Sequence, residues 1–261
     1  MSKVKFVIST ELIRHKFKKP PSLSYLKDRV KLFKKFTLIS ILKQTCQDFD
    51  IWIFCDKRFK DYMSSIVWDE KIKIIYDDGR SILNDLDVDH LAIMRTDSDD
   101  LLHKSCMQEI KDRLILCDKM HRLVFYQMFT FDIISHALYN RASRTEAPFF
   151  TNIYPKKLYK NHDYFVKTLF GCHHKLLKEY GDITGYIPPR VKMKVKPEDR
   201  YGGRRICVLN HSMNYSNLRK GIKVSTSKTP LSEMKKIKNF LTNDKKIVYE
   251  MLKDFNIKDM I

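Results

Sequence analysis

A chain of 261 residues can bury a sizeable core as one large domain or two small ones, and 43% hydrophobic with 31% charged residues is a globular composition. No apolar run approaches the roughly 20 residues that cross a bilayer, and six scattered cysteines without a C-x-x-C pair support neither a zinc knuckle nor a dithiol redox motif. A net charge of +19, with 18 Lys and Arg against 7 Asp and Glu between Arg190 and Ile261, predicts attraction to polyanions.

Along the chain, Val4 to Ser9 reads as a first strand, followed by a basic loop carrying Arg14, His15, Lys16, Lys18 and Lys19. Leu26, Val30, Phe33, Thr37 and Ile41 then recur at a helical period over Tyr25 to Lys43. Phe49 to Cys55 is a second strand closed by Asp56, Tyr62 to Val67 a short helix, and Ile72 to Tyr76 a third strand closed by Asp77-Asp78-Gly79. His90 to Met94 is a buried strand that stops being apolar at Arg95-Thr96-Asp97-Ser98-Asp99-Asp100. Strand, helix, strand, helix, strand is the grammar of a doubly wound, mostly parallel α/β sheet flanked by helices.

The second half is expected to carry a helix starting near Leu101 or around Lys104 to Leu116, and then a strand over Leu123 to Phe131. Arg141 to Lys160 reads as a loop able to act as a lid, Tyr164 to Tyr180 as a helix, and Arg204 to Leu209 as a last strand ending at Asn210-His211. After a linker over Lys220 to Thr229, Leu231, Met234, Ile237, Phe240 and Leu241 suggest one helix, and Val248, Met251 and Leu252 a second. The expected organisation is a domain over residues 1–220 with a basic helical appendage over 221–261.

Three carboxylates within four residues repel one another by roughly 1 kcal/mol per close pair in water, and more in a low-dielectric site. Asp97, Asp99 and Asp100 therefore either cap the next helix or hold something positive, such as Mg²⁺ or Mn²⁺ beside phosphate oxygens. Asp56, Asp77, Asp78, Asp97 and Asp99 all fall at strand carboxyl ends, where doubly wound sheets bind their ligands.

Three blocks carry a family resemblance: Arg29-Val30-Lys31-Leu32-Phe33-Lys34-Lys35-Phe36-Thr37-Leu38; Gln44-Thr45 with Phe49, Trp52 and Asp56; and Arg95 to His103. Together with His211 and Asn214 as a late His-x-x-Asn element, they resemble the rhamnosyltransferase family of GT-A-type glycosyltransferases. The chain departs from that pattern in having Lys34 and Lys35 where acidic residues are common, and Ser98 within the acidic run.

The resemblance implies a GT-A-like, Rossmann-related fold and a nucleotide-diphosphate sugar donor, with Mn²⁺ or Mg²⁺ bridging its diphosphate. Asp97, Asp99 and His211 would be the metal ligands. Asp56, Arg95, Asp97 and Arg29 would contact the donor, and Asp100 would orient the acidic run. A base for the acceptor hydroxyl is sought among His174, Asp182, Asp163, Glu146 and His173. Adjacent His173 and His174 point about 100° apart on a helix and do not readily share one ion.

Lys156 to Lys160 and the basic tail, interleaved with Tyr154, Tyr159, Tyr164, Tyr186, Tyr201 and Tyr215, suit a phosphate backbone with stacked bases. The leading acceptor is then a hydroxymethylated base in viral DNA. The alternative is a cell-surface polysaccharide or lipid-linked saccharide, with peripheral contact to an anionic membrane. A Mg²⁺-dependent nucleic-acid-binding or nuclease-like protein is the competing class. A cytoplasmic location, in the host if the chain is viral, goes with thiols left unpaired.

Overall fold

The computed structural model describes residues 2–13, 21–125, 127–142, 150–170, 184–186, 206–210 and 240–256. Strands β1 (Val4–Glu11), β2 (Asp50–Phe54), β3 (Ile72–Ile75) and β4 (His90–Asp97) run parallel. They read as near-continuous apolar runs because both of their faces are covered. Phe6, Ile8, Ile51, Ile53, Ala92 and Met94 pack on one side, and Val7, Trp52, Phe54, Ile75, Leu91 and Ile93 on the other. Burying each Val, Leu, Ile, Phe or Met side chain among these contributes about 1.5–3 kcal/mol.

The first side is covered by α1 (Leu23–Leu32), a π-helical segment (Phe33–Thr37) and α2 (Leu38–Leu42), which form one continuous helical line, with α3 (Lys60–Ser64) and α5 (Cys106–Asp112) beside it. The Ser22 hydroxyl caps α1 by accepting from the Tyr25 N–H at 3.2 Å. The other side is covered by α4 (Arg80–Asp85), α6 (Lys156–Tyr159) and α7 (His162–Phe170) through Leu83, Tyr159, Phe165 and Leu169.

Beyond β4 the sheet continues with β9 (Phe150–Pro155), antiparallel to both β4 and β6 (His121–Val124), and ends at β10 (Thr184–Tyr186). The order is β10-β6-β9-β4-β1-β2-β3, so the chain reverses its winding between β1 and β4. A second sheet has the order β12-β8-β7-β11-β5, with β5 (Asp100–Leu102), β7 (Gln127–Asp132), β8 (Leu138–Ala142), β11 (Ile206–Asn210) and β12 (Phe240–Thr242). Its core joins Leu101, Phe129, Phe131, Leu138 and Cys207 to Phe36 and to Val248 and Leu252 of α8 (Lys245–Leu252). The fold is a mixed α/β architecture built on a mostly parallel sheet flanked by helices.

Several expectations are corrected. No helix starts at Leu101: Leu101 and Leu102 are fully buried on the strand period, one in the second sheet's core and the other in the first's. The helix expected around Lys104 to Leu116 is the shorter α5. Leu123 to Phe131 is two strands in two different sheets, β6 and β7. Within the lid-like stretch, Phe150 to Pro155 is a buried strand at the middle of the main sheet. Phe240 and Leu241 lie on β12 rather than on a helix. The helix expected over Tyr164 to Tyr180 is described from His162 to Phe170, and its remainder lies outside the described residues. Strand β1 runs two residues past Ser9, to Glu11.

Candidate functional site

The acidic run is the hinge between the two sheets. Strand β4 leaves the first sheet at Asp97, Ser98 and Asp99 make the turn, and β5 enters the second sheet at Asp100. Arg29, on the inward face of α1, holds this turn. Its Nη1 donates to Asp99 Oδ2 at 2.8 Å and its Nη2 to Asp99 Oδ1 at 3.3 Å, while Nη2 also donates to the Ser98 hydroxyl. The pair is buried, with about a tenth of each side chain exposed. Burial disfavours the guanidinium charge, but the charge and hydrogen bonds of Asp99 outweigh that and raise the Arg29 pKa.

The same helical line grips the far end of the hinge. The Ser40 hydroxyl accepts from the Leu102 N–H at 3.1 Å. The Gln44 amide donates to the His103 carbonyl at 2.9 Å and accepts from the Met107 N–H at 3.0 Å. Thr45 N–H donates to the Lys104 carbonyl at 2.8 Å. From behind, Asp254 pairs with Lys104 Nζ at 2.8 Å, and Phe255 packs edge-on against His103.

Asp100 is enclosed. Burial raises its pKa well above the carboxylate range, and the charges of Asp99 and Asp97 add to this; the Leu209 N–H, donating to the carboxyl group, and Arg29 work against it. Asp97 is the outward member, its side chain half exposed, with Arg95 Nη2 at 3.8 Å. In the parallel pairing of β1 with β4, Glu11 is in register with Asp97 and Ser9 with Arg95. Two carboxylates thus meet on adjacent strands at the point where the winding reverses. Ligands of open α/β sheets bind there.

Asp56, Asp77 and Asp78 also lie at strand carboxyl ends, and each has local work. Asp56 caps the turn Lys57–Phe59 and accepts from the Arg58 N–H at 2.9 Å and from its guanidinium. Asp77 accepts from the Gly79 N–H at 2.7 Å, in a turn where Gly79 takes φ +95°. Asp78 meets His162 Nε2 at 2.7 Å. Asp163 is 93% exposed at the start of α7, with His162 Nδ1 3.9 Å from its carboxylate. Glu146, His173, His174, Asp182 and His211 lie outside the described residues.

Sequence reasoning missed Glu11 and Arg122. Arg122, on β6, is 3% exposed, and its Nε donates to Asn152 Oδ1 at 2.7 Å and its Nη2 to the Thr168 carbonyl at 3.1 Å. Its guanidinium lies 4.0 Å from the centre of the Phe150 ring. Among the described residues it has no carboxylate partner, and burial, reinforced by the charge of Arg95, lowers its pKa. By register Arg122 aligns with Asn152 and Ile93, and Arg95 with Phe150, so both arginines lie on the α7 face of the sheet. An arginine within a strand reads as surface; only the alternation of β6 against β9 turns it inward.

The tyrosine expectation is corrected as well. Tyr154 and Tyr159 are fully buried, their hydroxyls bound to Asn152, Thr168 and Val88, so neither can stack on a base. Lys156 pairs with Asp87, and Lys160 binds the Leu83 and Asn84 carbonyls at the end of α4. Tyr201 and Tyr215, and the side chain of Tyr186, lie outside the described residues.

Asp99 is bidentate to Arg29 and Asp100 is enclosed, which leaves Asp97 as the outward carboxylate, and among the described residues no three His, Cys, Asp or Glu side chains are grouped to hold an ion. The described residues do not by themselves fit a metal. A separate cleft of about 780 Å³ runs along edge strand β3, lined by Lys5, Trp52, Lys57, Lys60 and Lys73 among others; none of Arg29, Arg95, Asp97, Asp99 or Asp100 reaches it.

Fold and site together define a doubly wound α/β protein with charged side chains gathered at its β1/β4 switch point. Solved structures similar to the chain include 4-diphosphocytidyl-2C-methyl-D-erythritol synthase from Anaerococcus prevotii DSM 20548, at 11% identity over 84% of this chain and 94% of that one, with a TM-score of 0.37. Another is CMP:2-keto-3-deoxy-manno-octonic acid synthetase complexed with CTP, at 10% identity over 69% of this chain and 87% of that one, with a TM-score of 0.29. No protein-family model and no curated protein matches the chain. Among the described residues no helix is long and apolar enough to cross a membrane, and none of the five described cysteines is in a disulfide.

Proposed function

We propose that residues 1–220 act as a nucleotide-sugar-dependent glycosyltransferase that binds its donor in the crevice between β1 and β4. The observation that supports this most directly is the acidic hinge, fastened by buried Arg29 at the switch point of the sheet. Its blocks are the same ones that resemble the glycosyltransferase family, and each has a structural task at that hinge. Asp97, with Glu11 beside it in register, is assigned to the donor's ribose and diphosphate region, and Asp99 is a positioning residue held by Arg29. Arg95 and Arg122 supply positive charge on the face where a diphosphate would lie.

In the reaction the bond between the anomeric carbon and the diphosphate oxygen breaks, and its electron pair leaves with the nucleoside diphosphate. The acceptor oxygen makes the new glycosidic bond and releases its proton to a base. His174 and Asp182 remain the proposed bases. Cations aimed at the leaving diphosphate stabilise charge that develops in the transition state, the largest lever available to such a site.

The test is nucleotide release from a panel of nucleotide sugars with hydroxyl acceptors, in the presence of Mn²⁺ or Mg²⁺. Wild-type protein is expected to turn over at least one donor. Asp97→Asn should lose at least about a hundredfold in rate with its melting temperature unchanged, because Asp97 is half exposed. Absence of release with every donor overturns the proposal.

A further inference from the structure

The helical line that turns Arg29 inward has an opposite face of uniform character. Every exposed position from residue 27 to residue 43 is a lysine: Lys27, Lys31, Lys34, Lys35 and Lys43. The first four are spaced i, i+4, i+7 and i+8 and so share one side. Like charges at this spacing destabilise a helix, and among the described residues none of these four lysines has a carboxylate partner. Their contacts are with rings instead: Lys27 Nζ lies 5.8 Å from the centre of Tyr62 and Lys34 Nζ 5.5 Å from that of Trp68.

Aliphatic side chains stand at both ends of this stripe. Leu23, four residues before Lys27 on the same side of α1, is 43% exposed. Val67 is 88% exposed at the tip of the loop after α3, and its carbonyl accepts from Lys34 Nζ at 3.4 Å. Asp28 is half-buried beside the stripe, and exposed acids stand at Asp61, Asp69 and Glu70, with Lys57, Arg58 and Lys60 adding positive charge to that of the stripe.

We propose that this face docks on an anionic lipid surface. Lys27, Lys31, Lys34 and Lys35 would reach headgroup phosphates, and Leu23 and Val67 would enter the boundary between headgroups and acyl chains. Lysines around exposed aliphatic tips, with Tyr62 and Trp68 half-buried between them, are the composition that lies in such an interface. A nucleic-acid backbone would engage the lysines but gain nothing from Leu23 or Val67, and the two rings that could stack on bases are covered by Lys27 and Lys34. Because α1 follows the carboxyl end of β1, its first turn lies toward the crevice, and docking brings that edge to the membrane. The acceptor would then be a saccharide or other hydroxyl carried on a lipid; this last step alone rests on the transferase proposal.

The test is co-sedimentation of the full chain with phosphatidylcholine vesicles with and without phosphatidylserine, beside binding to duplex DNA. Wild-type protein should bind only the phosphatidylserine vesicles, increasingly as salt falls. Each lysine near an anionic leaflet contributes about a fivefold change in partition, so K27Q/K31Q/K34Q/K35Q should lose at least about a hundredfold while melting as wild type. Val67→Asp should weaken binding with the salt dependence retained. Equal vesicle binding by the quadruple variant, or a loss confined to DNA, overturns the proposal. Donor hydrolysis measured in parallel keeps the two proposals apart, since vesicle binding needs no turnover.

Discussion

Strand β4 is flanked by two buried arginines that have been treated in opposite ways. On the α1 side, Arg29 meets Asp99 with two hydrogen bonds and Ser98 with a third. On the β9 side, Arg122 meets an amide, a carbonyl and an aromatic ring, with no carboxylate among the described residues. A buried charge with its counter-charge in place is part of the scaffold; one surrounded by neutral groups carries an uncompensated desolvation cost. The contrast places Arg29 in the architecture of the acidic hinge; under the proposed function, Arg122 is left for the donor's diphosphate.

The largest effect that would break this contrast is on the Arg29 side. Arg29→Met removes the cation that is bidentate to buried Asp99 and should destabilise the fold by about 3–5 kcal/mol, measured by urea denaturation. Adding Asp99→Asn in the same chain should recover a large part of that loss, because the uncompensated charge is then gone. If Arg29→Met alone costs under about 1 kcal/mol, the hinge is held by Ser40, Gln44 and Thr45 without it.

The Arg122 side should respond in the reverse sense. Arg122→Gln gives up two hydrogen bonds but also an uncompensated charge, so stability without ligand should change by no more than about 1 kcal/mol. Binding of pyrophosphate or a nucleoside diphosphate, read as ligand-induced thermal stabilisation, should weaken about tenfold to a hundredfold, the value of a hydrogen bond to a charged group. A large loss of stability with ligand stabilisation intact would make Arg122 a scaffold residue like Arg29.

How far this was legible in the sequence depended on which physical signal each part carries. Strands β1 to β4 are apolar runs, closed by aspartates in β2, β3 and β4, and a buried parallel strand reads as such a run because both faces are covered. The acidic run was visible as an abrupt end to the apolar residues of β4, although Ser98, Asp99 and Asp100 are themselves buried. Strand β5 was not, since Asp100 before two leucines looks the same whether it caps a helix or starts a strand; the second sheet, built from β7, β8, β11 and β12, decides it. Strand β9 was hidden by its polar letters. Thr151 and Asn152 are fully buried, and the Asn152 amide is satisfied by Arg122 and Thr168 of other elements and by Tyr154 two residues along its own strand. Tyr154 and Tyr159 misled for a related reason: a tyrosine's hydroxyl is compatible with a surface and equally with a core that supplies an acceptor.

The smallest effect concerns Asp100, and it separates scaffold from site by pH. Its folded pKa is raised by burial first and by Asp99 and Asp97 next, so the native state holds a proton that the unfolded chain releases near the ordinary carboxylate pKa. Between those two values the unfolded chain binds fewer protons than the native one, and stability falls as pH rises. Below the unfolded pKa the penalty is absent, and each unit of upward shift corresponds to about 1.4 kcal/mol lost once pH has passed the folded value. Asp48, Asp87, Asp89 and Asp254 are shifted downward by their partners and contribute in the opposite sense, losing stability as pH falls. The informative quantity is therefore the difference between wild type and Asp100→Asn, followed by urea denaturation from acid to mildly alkaline pH. That variant should match wild type at the acid end and gain on it steadily as pH rises. A constant difference across the range would mean that Asp100 is charged in the fold, and that the hinge carries three negative charges for Arg29 and a ligand to neutralise rather than two.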